Sequence, residues 1–235
     1  MSALNILSGG AAQALVRSLA TKFKAQTGFD IQGEFGAVGA MADKLRNGAS
    51  ADIVVLTAAI VGKLAQENRV IPASLSDVGL VETAIAVRAG DPKVTVSDAA
   101  ALRGALLSAD AIFIPDTKAS TAGIHIAKIL QRLDIADEVA ARLKIFPSGA
   151  TAMRHLAETK ALQPIGCTQS TEIISTPGVV LSGSLPRGCD LLTMYTAAVT
   201  TGATNPQQAQ RLIDLLIGTD QRESREGAGF LDARK

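Results

Sequence analysis

Three times before residue 66 the chain passes from an apolar, strand-like run into a turn of small residues and then into a helix-patterned stretch. Leu4-Asn5-Ile6-Leu7 leads into Ser8-Gly9-Gly10-Ala11, and Ala12, Leu15, Val16, Leu19, Ala20 and Phe23 follow at helical spacing until Gly28. Phe29 to Phe35 leads into Gly36-Ala37-Val38-Gly39 and a helix with Met41 and Leu45 on one face, ending at Gly48. Ala51-Asp52-Ile53-Val54-Val55-Leu56 is apolar almost throughout, as a strand buried on both faces must be, and precedes a helix carrying Ile60, Val61, Leu64 and Ala65. Such alternation restricts the chain to an α/β fold with mostly parallel strands and helices on the sheet faces.

From about Leu80 the pattern changes. Leu80 to Arg88 is a long strand-forming run, and a similar run returns at Leu191 to Thr200. Between them the sequence predicts a separate α/β set. It holds helices over 97–107, 121–133 and 148–160, with strands over 111–114, 143–146 and 165–168. After Thr200 the chain adds a helix, with Asn205 as its N-cap, Pro206 in its first turn and Ala209, Leu212, Ile213 and Leu216 on its apolar face. We therefore expect two lobes: residues 1–80 plus 200–235, and residues 90–190. The joining hinge strands are expected at about 80–89 and 191–199.

Composition narrows the partners. The 235 residues carry 23 Lys+Arg against 22 Asp+Glu, a net charge of +1, which leaves no cation excess to displace counterions from nucleic acid. Aromatic residues are only 3%, too few for base- or sugar-stacking platforms. No apolar run approaches the length of a membrane span, so no membrane insertion is expected. Two cysteines, Cys167 and Cys189, make neither a zinc cage nor a disulfide framework, and no metal or cofactor is expected. Cys167 reads as a small core residue, and a Cys167–Cys189 disulfide is expected only in an exported protein. The first residues show neither a basic region nor an apolar segment of a secretion signal. The expected compartment is the periplasm where Met1 replaces a removed signal peptide, and the cytoplasm otherwise.

What remains is a small-molecule task, and the turns suggest its chemistry. Open α/β sheets bind ligands beyond the C-terminal strand ends, where small-residue turns expose backbone N–H groups at helix starts. Here the candidates are Ser8, Gly9, Gly10 and Ala11; Gly36, Ala37, Val38 and Gly39; Ser120, Thr121, Ala122 and Gly123; and Gly149 in Ser148-Gly149-Ala150. Together they suggest a cleft between the lobes that holds a small anion without Lys or Arg. The plainer alternative at each turn is a tight strand-to-helix connection that small residues make easy. No turn extends to a dinucleotide fingerprint or a Gly-Lys-Ser/Thr phosphate loop.

These residues carry a resemblance. Leu19-Ala20-Thr21-Lys22-Phe23-Lys24, Gly48-Ala49-Ser50-Ala51-Asp52, Pro115-Asp116 before Ser120-Thr121-Ala122-Gly123-Ile124, and the unit from Ser148 to Gln169 resemble the type II periplasmic substrate-binding proteins. The branch indicated is that of the molybdate-binding proteins of ABC importers. The resemblance implies two lobes joined by two strands, an oxyanion held by neutral donors, a monomer, and an importer membrane component as partner. The ligand positions depart from that branch. Ala11 stands where those proteins place a serine, Gly36-Ala37-Val38-Gly39 replaces a serine-rich turn, and Gln169 replaces a tyrosine. Each missing charge-assisted hydrogen bond costs a tetrahedral oxyanion about 1.5–3 kcal/mol. An organic polycarboxylate, bonded by Gln169, Ser8, Ser120 and Thr121, is thus expected in preference to molybdate.

The bacterial aconitate isomerases resemble the same branch and supply an alternative: proton-shift isomerisation of a small tricarboxylate. Such chemistry needs a base at the acidic C–H and donors on the carboxylate. Its candidates here are His125, between Ile124 and Ile126, and Glu172, just after Gln169. The structural alternatives are a packed helix residue for His125 and an acid serving the start of a short helix for Glu172. His155, Lys118 and Arg154 read as solvated, the last two being possible carboxylate clamps.

Overall fold

A computed structural model describes residues 2–232; Met1, on which the expected compartment turned, and residues 233–235, the end of the first expected lobe, lie outside the described residues. The chain forms two compact units, one of residues up to Val81 with those from Thr193 onward, the other of Glu82–Leu192.

The first unit opens with β1 (Ala3–Gly9), a 3-10 turn over Gly10–Ala12, and α1 (Gln13–Thr27). It continues with β2 (Asp30–Gly36), α2 (Val38–Arg46), β3 (Ile53–Thr57) and α3 (Ala58–Gln66). β1 lies in the middle, parallel to β2 on one side and β3 on the other. The helices arise where apolar side chains recur at helical spacing: Leu15, Val16, Leu19 and Phe23 of α1 are all buried in the core with Leu4 and Ile6 of β1. Each such side chain contributes about 1.5–3 kcal/mol. Gly28 ends α1 at φ 77°, a left-handed conformation glycine adopts at no steric cost.

β4 (Ser76–Arg88) carries the chain from the first unit into the second. It begins earlier than the apolar run predicts and includes Gly79 at φ 157°. The second unit then takes α4 (Ala99–Ser108), β5 (Ala111–Pro115), α5 (Thr121–Arg132), α6 (Ala136–Val139), β6 (Leu143–Phe146) and α7 (Gly149–Glu158). β7 (Pro164–Gln169), α8 (Ser170–Ile174) and β8 (Val179–Ser184) complete it. β5 runs parallel to β6 and β7, while β4 is antiparallel to β7 and to β8. Ile112 and Ile114 of β5 pack with Leu102, Ile126 and Ile129 on one face, and Phe113 with Met153 and Leu156 on the other. Two elements here escaped the sequence reading. β8 is half-buried along its length, so it lacks the alternation that marks a strand, and α6 is a single turn.

β9 (Leu192–Val199) returns the chain to the first unit, antiparallel to β3, followed by α9 (Pro206–Ile217) and α10 (Arg222–Gly227). Asn205 precedes α9 as expected, but its side chain does not cap the helix. The Asp52 carboxylate instead holds the segment leading into the helix, accepting from the Asn205 backbone N–H at 2.7 Å and the Thr204 hydroxyl at 3.0 Å. Its other oxygen accepts from the Asn5 N–H at 2.8 Å. Burial by itself would raise this acid, yet the N–H groups of Asn5 and Asn205 with the Thr204 hydroxyl outweigh it and hold Asp52 below the ordinary carboxylate value.

Candidate ligand-binding site

In the first unit β1, β2 and β3 are parallel, so their C-terminal ends open at one edge, and Gly9 is paired directly with Gly36. Two of the expected turns, Ser8–Ala11 and Gly36–Gly39, lie there. Ser8 is fully buried, and its hydroxyl points to the carbonyls of Gly9, at 3.0 Å, and Val55, at 3.3 Å. Its proton is thus engaged with the scaffold. Gly10 and Ala11 form the 3-10 turn before α1, and Ala37 precedes the first turn of α2, which contains Val38 and Gly39. What the turns after β1 and β2 offer a ligand is backbone N–H, since Gly9 to Ala12 and Gly36 to Gly39 carry no side-chain donor; β3 ends in the Thr57 hydroxyl. Gly9 is also required by packing: a Cβ there would lie 2.7 Å from Val38 Cγ1 and 2.9 Å from Tyr195 Cε1.

The second unit is different. β5 and β7 are parallel neighbours, and beyond their C-terminal ends lie α5 and α8. Ser120 precedes α5 and is buried, but its hydroxyl does not cap the helix. Thr121, Ala122 and Gly123 form the first turn. A Cβ on Gly123 would sit 2.2 Å from the Asp116 carbonyl oxygen, so glycine lets α5 approach the loop backbone. Asp116 shapes that loop by accepting from the N–H groups of Ala119, at 2.6 Å, and Lys118, at 2.7 Å, which hold its carboxyl below the ordinary value.

Gln169 ends β7 at 3% exposure, and neither its amide nitrogen nor its amide oxygen has a hydrogen-bond partner. The same holds for the hydroxyls of Ser170, Thr171 and Thr83, each at most 2% exposed. Thr83 on β4 stands opposite Gln169 in the ladder, so the four side chains come from one strand pair and the turn that follows it. Burying a polar group without a partner costs about 1–3 kcal/mol, and native interiors rarely concentrate several together. Such a cluster has donors and acceptors to give an external partner. Thr83 was not anticipated, since it lies within the strand-forming run Leu80–Arg88; its one signal was a hydroxyl between Glu82 and the apolar residues from Ala84 onward.

Glu172 takes another direction. Its carboxylate accepts from the Thr168 hydroxyl at 2.6 Å and the Ala150 N–H at 3.3 Å, so it serves the start of α7 instead of its own short helix. A Cβ on Gly149 would lie 1.9 Å from Glu172 Oε2. The group that fills the Gly149 turn is therefore the protein's own carboxyl. Burial raises the Glu172 pKa, and the Thr168 hydroxyl and Ala150 N–H only partly offset it. His125 donates Nε2–H to the Cys189 carbonyl at 2.8 Å, which engages that nitrogen in holding the loop before β9. His155 is exposed and stacked on Phe146 at 4.4 Å, Lys118 is exposed, and Arg154 reaches Thr151. Cys167 and Cys189 are free and buried, and burial lifts the Cys167 thiol to about 12. Among the described residues no cluster of His, Cys, Asp and Glu could hold a metal ion, and no helix is long and apolar enough to cross a membrane.

The sequence matches the bacterial extracellular solute-binding protein family over residues 4–231. It is 25% identical over 241 aligned residues to an aconitate isomerase from a Pseudomonas species, covering 98% of this chain and 88% of that one. It is 22% identical to the molybdate-binding protein ModA of Escherichia coli, covering 92% of this chain and 83% of ModA. The structure of the Azotobacter vinelandii periplasmic molybdate-binding protein superposes with a TM-score of 0.80 at 18% identity, over 97% of this chain and 98% of that one. The two units are thus the lobes of a type II periplasmic-binding-protein fold. The chain belongs to the bacterial extracellular solute-binding proteins, in their ModA-like, type II branch.

Proposed function

We propose that this protein captures a small organic polycarboxylate, and that it does so in the periplasm for an ABC importer. The observation that carries this is the cluster of Gln169, Ser170, Thr171 and Thr83, buried and unpartnered. A planar amide and three hydroxyls suit a carboxylate, which accepts several hydrogen bonds in one plane. At the first unit's turns, Ala11 and Gly36 to Gly39 leave only backbone donors, and the Ser8 hydroxyl is engaged. That supports a larger ligand over a tetrahedral oxyanion, which needs donors on all sides. The test is thermal unfolding with citrate, tricarballylate and trans-aconitate against molybdate, tungstate and sulfate. The tricarboxylates should raise Tm. Stabilisation by molybdate alone would overturn the reading.

A second reading, isomerisation of a tricarboxylate, is favoured by the likeness to an aconitate isomerase along nearly the whole chain. Glu172, whose burial keeps its proton beyond the usual pH, is then the candidate acid and base in preference to His125, whose Nε2 is engaged. Incubating trans-aconitate with the protein in D2O tests this. Deuterium entering the substrate supports turnover, and tight binding without exchange ends it.

A further inference from the structure

We infer that the ligand carries a hydrogen-bond donor of its own beside an acid group, so that the preferred ligand is a hydroxy acid. This rests on the reading of the protein as a binder of small organic acids, and it sharpens which acids.

Gln169 presents two unpartnered ends with opposite needs. Its NH2 group only donates, and its carbonyl oxygen only accepts. Turning the amide by 180° exchanges the two ends without removing either need. A fully ionised carboxylate, like molybdate or sulfate, has nothing to give. It satisfies the NH2 group and sets a negative charge against the amide oxygen, which is sealed from water and has no donor among the described residues. The hydroxyls of Ser170, Thr171 and Thr83 do not reach the amide, since they too are without partners. Those three rotate to donate or accept as the ligand requires, so Gln169 Oε1 is the one fixed demand for an outside donor.

A hydroxyl meets it with no change in charge. An ammonium would meet it too, but the unpartnered side chains of the cluster are neutral, and the nearby Glu172 carboxylate is already held by Thr168 and Ala150. A cation there would be desolvated with no protein counter-charge, only the ligand's own acid group. The polar pattern of Gln169 therefore selects an alcohol next to a carboxylate.

Matched pairs test this by calorimetric titration at neutral pH: citrate and isocitrate against tricarballylate, and malate against succinate, for the wild type and Gln169→Met. The expected result is that at least one hydroxy acid binds wild-type protein tenfold or more tightly than its partner lacking the hydroxyl. The gap should shrink below threefold in Gln169→Met, whose circular dichroism and Tm check that it folds. Equal or tighter binding of tricarballylate and succinate overturns the inference but leaves the polycarboxylate reading standing. A hydroxyl preference that survives in Gln169→Met also overturns it, since another group then reads the hydroxyl. No binding of any of the five acids sinks the polycarboxylate reading itself.

Discussion

Asp52 in the first unit and Gln169 in the second are both polar, almost fully buried and set at the end of an interior strand, and they are treated in opposite ways. Asp52 has a donor for each oxygen: the Asn5 N–H on one, the Asn205 N–H and Thr204 hydroxyl on the other. It stitches β3 to β1 and to the start of α9, and its hydrogen bonds keep it ionised despite burial. Gln169 and its neighbours Ser170, Thr171 and Thr83 have none. A buried polar group whose partners are all internal is scaffold. A group of neighbouring ones with no internal partner, as at Gln169, is what the proposed ligand would complete. The comparison also orders the other candidates: Gly123, Gly149, Ser8 and His125 each make close internal contacts and fall nearer to Asp52.

The largest effect should come from Asp52→Ala. It strips the partners from two backbone N–H groups and should cost about 2–4 kcal/mol in urea unfolding, with ligand affinity of the folded protein within twofold of wild type. A loss under 0.5 kcal/mol would remove Asp52 from the scaffold class. Gly123→Ala comes next. A Cβ only 2.2 Å from the Asp116 carbonyl oxygen must push α5 away, for a cost of about 1–3 kcal/mol by the same measurement. An unchanged Tm with weakened ligand binding would instead make Gly123 a ligand residue.

Two buried acids extend the contrast to pH. Asp52 is lowered, so its stabilisation is complete above the ordinary carboxylate pKa and is lost as pH falls through its folded value. Glu172 is raised, so the native state holds a proton that the unfolded state has released. Stability from this group therefore falls as pH rises from the ordinary glutamate range to its folded value. Glu172→Gln should flatten that decline, and stability profiles of both proteins between pH 4 and 8 check it. A parallel decline in the variant would assign the slope elsewhere. The smallest effect belongs to His125→Gln. A side-chain N–H can still reach the Cys189 carbonyl, so Tm should shift by less than about 2 °C, as expected of a change of a few tenths of a kcal/mol. Loss of ligand binding in this variant would bring His125 back as a site residue.

The elements of the first unit were legible because their apolar residues are nearly all buried at the period of their structure. Leu15, Val16, Leu19 and Phe23 mark α1, and Ile53 to Leu56 mark β3. β8 was not legible, since its residues are half-buried on both faces and show no alternation. At the site, Gln169 was visible through the resemblance, as the residue standing where the molybdate binders carry a tyrosine. Thr83 was not, because its meaning lies in its pairing with Gln169 across the ladder, a contact between residues 86 positions apart in sequence. The glycines misled in one respect. A Gly-rich turn reads the same whether it admits a ligand or the protein's own atoms, and at Gly149 the space holds Glu172.

The central claim is that the buried cluster around Gln169 is unpartnered because a ligand completes it. Its most direct test compares Gln169→Ala with wild type for both unfolding without ligand and calorimetric affinity for the best-binding tricarboxylate. The account predicts an unliganded stability equal to or above wild type, with affinity reduced about tenfold or more, as loss of a charge-assisted hydrogen bond implies. A variant that is less stable without ligand but binds as tightly as wild type would contradict it and make Gln169 part of the scaffold.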